Sequence, residues 1–298
     1  MPSTILSNHP LDVRSIDESE ALDSLDTIGE LLPSEKLAEV PLVKEGRALV
    51  VGDTHGDWPT LQALVEKYLL GANRVDRFII LGDYVDRVPS DLLFASVTNA
   101  LYVLSLRALF PERVLIFRGN HEAYQHVPYQ GHDIIDDSFR CWGTRAVGEK
   151  IEDLFDRLPI AGITENGAYL AHAGFPIVES WRDAILHPTY KTWLQVLWND
   201  VDVSPTCGGR GIDQEPIGSA NLSEFLASSG TSVFLRGHDP HVVGELLYDK
   251  KLLTVHTTRG RADLGVMAAI IPLGERMSDL SVAQIITVDI PPIPPMRE

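Results

Sequence analysis

Apolar and polar positions along the chain fall into two regimes that meet near residue 157. In the first, short apolar runs alternate with helical spacing. Ala48-Leu49-Val50-Val51 ends in Gly52-Asp53, Phe78-Ile79-Ile80-Leu81 ends in Gly82-Asp83, and the run at 114–117 ends in Arg118-Gly119-Asn120. Between them Leu61, Leu64, Val65 and Tyr68 share one helical face, and 91–110 reads as a long helix. The pattern predicts β-α-β-α-β with a polar turn at each strand end. A further helix is predicted over 144–157.

Beyond it come short strand-like segments at 160–164, 168–172, 232–236, 243–248, 252–256, 264–271 and 282–288, interrupted by helical stretches near 181–197 and 221–229. So few helices among the last five segments predict antiparallel pairing. Before residue 46 the chain is acid-rich, and Leu22, Leu25, Ile28 and Leu32 predict one amphipathic helix within 17–32. The expected organisation is an acidic appendage over 1–45, packed on the body or mobile, a main domain over 46–289, and an extended proline-rich tail over 290–298.

Charge narrows the partners. A net charge of −17 over 298 residues argues against nucleic acid, whose phosphates such a surface repels. An anionic substrate would need local positive charge from arginines or metal ions. There is no apolar run of about 18 residues, so no membrane span is expected. The N-terminus lacks a signal-peptide pattern, and Cys141 and Cys207 are too few for a disulfide framework. These features predict a cytoplasmic chain with reduced thiols.

Chemistry concentrates at the strand ends. Asp53 and His55 in GDTHG, Asp83 and Asp86 in GDYVDR, Asn120 and His121 in GNHE, His172 after Ala168-Tyr-Leu-Ala171, and His238 in LRGHD each follow an apolar run. Ligands of open α/β sheets bind outside the carboxyl ends of strands, so these side chains are expected on one rim. Carboxylate, imidazole and amide oxygen together suit divalent manganese, iron or zinc rather than calcium or magnesium. Asp53, His55, Asp83, Asn120, His172 and His238 supply enough donors for two ions. Such a pair, about 3.5–4 Å apart, generates hydroxide and clamps an in-line displacement at phosphorus.

GDTHG, GDYVDR, RGNHE, LPIAGI (158–163), HAG (172–174), LWND (197–200) and RGH (236–238) occur in this order. The set resembles the PPP family of metal-dependent serine/threonine protein phosphatases, within the calcineurin-like metallophosphoesterases, and covers roughly 46–272. HAG in place of HGG is similar to prokaryotic-type members. The resemblance implies an α/β four-layer sandwich of two mixed β-sheets flanked by helices, with metals at loops along one edge. It implies Asp53 and His55 on one metal, Asn120, His172 and His238 on the other, and Asp83 bridging. Manganese is the first expectation, with iron or zinc as alternatives. His121 would be the general acid, oriented by Asp86, and the nucleophile a metal-bound hydroxide. Arg87, Arg118 and Arg210 would bind the substrate phosphate.

The implied activity is hydrolysis of phosphomonoesters, with phosphoserine or phosphothreonine in a protein or peptide as the expected substrate. A symmetrical dinucleoside tetraphosphate hydrolase is the alternative; GNHE, LPIAGI and LWND favour the protein phosphatase. An inactive binding protein on this fold would lack a metal ligand or His121, and both are present. Two departures stand out. Val88-Pro89 replaces the family's glycine after GDYVDR, so that turn must run differently. His256-Thr-Thr replaces a proline- and tyrosine-containing loop; His256 offers one more imidazole, which the resemblance does not place on the metals. Arg259 and Arg261 are further candidates for meeting substrate charge. HEAYQH (121–126) imitates a zinc-protease motif, but histidines five apart sit about 140° out of phase on a helix.

Overall fold

The apolar runs at 47–51 and 77–80 bury both faces, and their alternation sends successive residues into different cores. Ala48, Val50 and Ile79 join Leu170, Val233, Leu235 and Leu253 in one core, whereas Leu49, Val51, Phe78 and Ile80 join a second core made with helices. Such period-2 sorting is what a sheet covered on both sides requires. The computed structural model describes residues 13–208, 215–260 and 266–288.

The described strands are β1 (Leu37–Val40), β2 (Arg47–Val51), β3 (Arg77–Ile80), β4 (Val114–Ile116), β5 (Ala161–Thr164), β6 (Ala168–Ala171), β7 (Val233–Arg236), β8 (Leu246–Leu247), β9 (Leu252–Thr254), β10 (Met267–Pro272) and β11 (Gln284–Thr287). They form a five-stranded sheet in the order β11-β10-β2-β3-β4 and a six-stranded sheet in the order β1-β5-β6-β7-β9-β8. Both are mixed. The helices are α1 (Glu18–Leu31), α2 (Trp58–Leu64, continued by a π-turn over Val65–Leu70), α3 (Ala95–Leu109), α4 (Ile134–Trp142), α5 (Ala146–Phe155), α6 (Trp181–Leu186), α7 (Tyr190–Leu197) and α8 (Ser219–Ser229). Residues of α1–α5 cover the outer face of the five-stranded sheet, and residues of α6–α8 cover that of the six-stranded sheet. The result is the expected sandwich of two sheets between two helical layers.

Among the last five strands the expected antiparallel pairing holds for β8 with β9 and for β10 with β11 and β2, and fails for β7 with β9. β6, β7 and β9 run parallel to one another; antiparallel partners join at β5, β8, β10 and β11. The helices between β6 and β7 supply the crossover that parallel pairing requires. Consequently β6, β7 and β9 present carboxyl ends to the same rim as β2, β3 and β4.

Three elements escaped the sequence pattern. β1 lies in the acid-rich segment and pairs parallel with β5. Nine-residue α4 precedes α5. The helical stretch expected near 181–197 is two helices broken at Pro188, with Thr189 capping the second. The predicted helix within 17–32 is α1; Asp17 and Glu20 form its capping box, and Leu25 and Ile28 are fully buried. The described part of the acidic segment therefore packs on the body. Residues 290–298 lie outside the described residues, as does Arg261. Among the described residues, no helix is long and apolar enough to cross a membrane.

Candidate metal centre and active site

The turns after β2, β3 and β7 bend sharply. His55, Asp83, Asp86, Arg87 and His238 all adopt left-handed backbone, with φ of 42°, 54°, 63°, 50° and 73°. Side chains with a Cβ rarely take this conformation, and five of the ten non-glycine residues that take it among the described residues lie at these turns. Glu122 holds one turn in place: its carboxylate accepts from the backbone N–H of Asp83 (2.7 Å), Tyr84 (2.7 Å) and Gly119 (2.9 Å). Burial and the charge of Asp83 nevertheless push Glu122 up to about 8.

The donor atoms then converge. Asp83 uses Oδ1 to accept from the His121 backbone N–H at 3.0 Å, which leaves Oδ2 facing His172 Nε2 (3.3 Å) and His55 Nε2 (3.6 Å). Asp53 likewise accepts from the His238 N–H on Oδ1 (2.8 Å), and its Oδ2 faces His55 Nε2 (3.7 Å). Asn120 Oδ1 lies 2.9 Å from His172 Nε2 and 3.0 Å from His238 Nδ1, and those two nitrogens are 3.2 Å apart. All six predicted ligands are buried and brought together.

The tautomers follow from the outer partners. His55 Nδ1 meets Val85 O at 3.0 Å and His172 Nδ1 meets Leu81 O at 3.1 Å. A carbonyl can only accept, so each Nδ1 carries a proton and, in the neutral ring, each Nε2 turns a lone pair inward. His172 Nε2, Asn120 Oδ1 and Asp83 Oδ2 then face one another as acceptors. A divalent cation satisfies all of them at once. The backbone partners are the outer support that metal-ligating histidines use. Burial lowers the His172 pKa, but the charges of Asp83 and Asp53 outweigh it and the net direction is upward. The same negative field attracts a cation. The residues therefore fit the metal pair that the strand-end pattern implies.

Beside the cluster stands a second, different arrangement. His121 Nδ1 donates to Asp86 Oδ2 at 2.7 Å, and its Nε2 faces Asp83 Oδ2 at 3.8 Å. Asp86 also accepts from the Asp133 N–H (2.7 Å), from His132 Nδ1 (3.0 Å) and from the Tyr129 hydroxyl. His132 Nε2 continues to Glu152 Oε1 at 2.7 Å. Burial would raise Asp86, but His121 and His132 hold it well below the ordinary carboxylate range. Burial lowers His121, and Asp83 and Asp86 only partly offset this. His132 rises to about 9 against its own burial, through Asp86 and Glu152. Tyr129, His132 and Glu122 were not singled out in the sequence, because none directly follows a strand.

The arginines separate. Arg87 is exposed and lines a cleft with Asp53, His55, Asp83, Asn120, His238 and His256. At the Val88-Pro89 departure, Asp86 and Arg87 take positive φ and Val88 sits against Gly56. A Cβ built on Gly56, itself at φ 73°, would lie 2.5 Å from Val88 Cγ1. Arg118, expected on substrate phosphate, is corrected: it is absent from the cleft wall and fully buried. Its Nη1 meets Asp156 Oδ1 at 2.8 Å, and the guanidinium lies 5.1 Å from the Trp193 ring centre. A buried cation needs such a counter-charge, and Asp156 already supplies it. Arg210 lies outside the described residues. Arg259 points away too, towards Asp57 Oδ1 (3.5 Å) and Asp91 Oδ1 (3.3 Å).

Known proteins share this plan. The chain is similar in fold to a serine/threonine phosphatase of Saccharomyces cerevisiae described as similar to human phosphatase PP5. That likeness has 20% identity over 96% of this chain and 91% of that one, with a TM-score of 0.70. A cold-active protein-tyrosine phosphatase from a psychrophile Shewanella species matches over 83% and 80% of the chains at 14% identity and a TM-score of 0.54. A proposed diadenosine tetraphosphatase matches over 85% and 98% at 16% identity and a TM-score of 0.46. The profile of the calcineurin-like phosphoesterases matches residues 46–242. That match spans well over half of the chain, which is therefore a metallophosphoesterase of the calcineurin-like phosphoesterase family.

Proposed function

We propose that this metallophosphoesterase is a protein phosphatase acting on phosphoserine and phosphothreonine. One observation carries the reading: buried acceptor atoms converge around Asp83 directly beside the His121–Asp86 pair, at the floor of a cleft that exposes Arg87. Asp53, His55 and Asp83 would hold one divalent ion, and Asp83, Asn120, His172 and His238 the other. Bound there, the ions would neutralise phosphate charge and lower the pKa of water.

The remaining work falls to the chain. Arg87 presents a fork of donors to the phosphoryl oxygens. His121 delivers the Nε2 proton to the departing alkoxide, and a lowered pKa makes it the stronger acid for that step. Asp86 fixes the ring by holding Nδ1. GNHE, LPIAGI and LWND support a protein substrate over a dinucleoside tetraphosphate.

The test compares initial rates, with manganese, on a phosphothreonine peptide, a phosphotyrosine peptide and diadenosine tetraphosphate. The phosphothreonine peptide should be fastest, and chelation should abolish turnover. A preference for either other substrate overturns the specificity, and turnover that survives chelation overturns the metal reading as well.

A further inference from the structure

We infer that His256 is a ligand of the first metal, alongside Asp53, His55 and Asp83. The inference rests on the metal pair proposed above and adds a residue to it. His256 follows β9, the third parallel strand of its sheet, as His172 follows β6 and His238 follows β7. It is 2% exposed, and it forms a wall of the same cleft.

The backbone delivers it there. Asp53 and His256 form a parallel bridge between the two sheets, with the Thr257 N–H donating to Asp53 O at 3.0 Å and the Met267 N–H to His256 O at 2.8 Å. Gly52 makes that approach possible: a Cβ there would stand 2.1 Å from Val255 O. The glycine that opens GDTHG therefore seats His256 as well as ending β2.

The side-chain geometry points the same way. His256 Nε2 lies 3.4 Å from Asp53 Oδ2, the oxygen that also faces His55 Nε2 at 3.7 Å. The ligand atoms of Asp53, His55 and His256 all lie within 4.8 Å of one another. A hydrogen bond of this kind is about 2.7–3.2 Å long, so 3.4 Å is long for a simple pair. It matches the separation of two donors on one ion: ligands at about 2.1 Å in tetrahedral array stand roughly 3.4 Å apart. With His256 included, each ion has two imidazoles, one terminal oxygen donor and a share of Asp83. Without it, the first has a single imidazole. The added nitrogen shifts the first site towards zinc-like ions and away from manganese.

The experiment strips the purified chain of metal and titrates it with zinc and with manganese, reading stoichiometry by mass spectrometry after equilibrium dialysis. Wild type should take up two ions. His256→Gln should weaken one of them about tenfold or more, since even outer supports of a metal site are worth about 10–100-fold. The loss should be larger for zinc than for manganese, and His256→Asp, which restores a charged donor, should recover much of it. Cadmium-113-loaded wild type with nitrogen-15 histidine gives a readout that needs no variant. Cadmium coupling on four imidazoles, His55, His172, His238 and His256, supports the inference. Coupling on three with His256 silent, or unchanged affinity in a folded His256→Gln chain, overturns it. A wild type that binds no pair of ions overturns the proposed function itself.

Discussion

The turn at 82–87 faces two neighbourhoods that could hardly differ more. On the Asp83 side, buried acceptors confront one another: Asp83 Oδ2, Asn120 Oδ1 and His172 Nε2, separated by 2.9–3.3 Å along their contacts. On the Asp86 side, a carboxylate receives donors from His121, His132, Tyr129 and Asp133. Burial is equally complete for the two aspartates. The difference lies in protons, because one cluster lacks enough of them for its acceptors and the other has a donor for each contact. A deficit of this kind marks a place for a cation, and a complete network marks a device that holds a side chain still.

That contrast can be broken from either side. Asp83→Asn removes the shared carboxylate, and turnover should fall by about three orders of magnitude or more, with neither ion retained after dialysis. His121→Asn should cost roughly 10²–10⁴ in kcat, yet leave metal content at two ions per chain. If His121→Asn also emptied the metal site, the two neighbourhoods would be one. Arg87→Ala should raise KM for a phosphopeptide about tenfold with little change in melting temperature. Arg118→Met should do the reverse, leaving KM little changed and lowering the melting temperature, because a fully buried side chain held by Asp156 and Trp193 is replaced.

A further effect is a pH dependence of stability at His132. Its folded pKa of about 9 exceeds the unfolded value of about 6.5, so the folded state binds the proton more tightly. The stabilisation, on the order of 2–3 kcal/mol, is complete below pH ~6.5 and disappears as pH rises through ~9. Denaturant midpoints of wild type should fall across this window, and those of His132→Gln should fall by clearly less. Equal slopes would show that His132 is not the titrating group.

Much of this was legible from residue order. Asp53, Asp83 and Asn120 follow apolar runs at the carboxyl ends of β2, β3 and β4, and a strand end is a position that local pattern can see. Arg118 was misjudged because residue type indicates a donor without indicating which anion it meets; Asp156 is 38 residues away. His256 also ends a strand, but only the bridge to Asp53 shows which neighbours its ring faces. Tyr129 and His132 sit in an irregular segment before α4, and their roles exist only once that segment closes over Asp86. Parallel pairing of β6, β7 and β9 was hidden similarly, since short strands of the same character pair either way.

The left-handed residues at 55, 83, 86, 87 and 238 have one further consequence. Each such conformation costs on the order of 1–2 kcal/mol, so these turns carry strain that other contacts must offset. Ligand binding to the native state alone adds to its stability, so the ions proposed here would also act as clasps on these turns. In hydrogen–deuterium exchange, chelation should unmask amides at 53–56, 82–87 and 237–239 while β2, β3 and β7 keep their protection. The rim would then open as a sub-global unit of its own, and the lifetime of the stripped enzyme would be governed by five backbone angles rather than by its core.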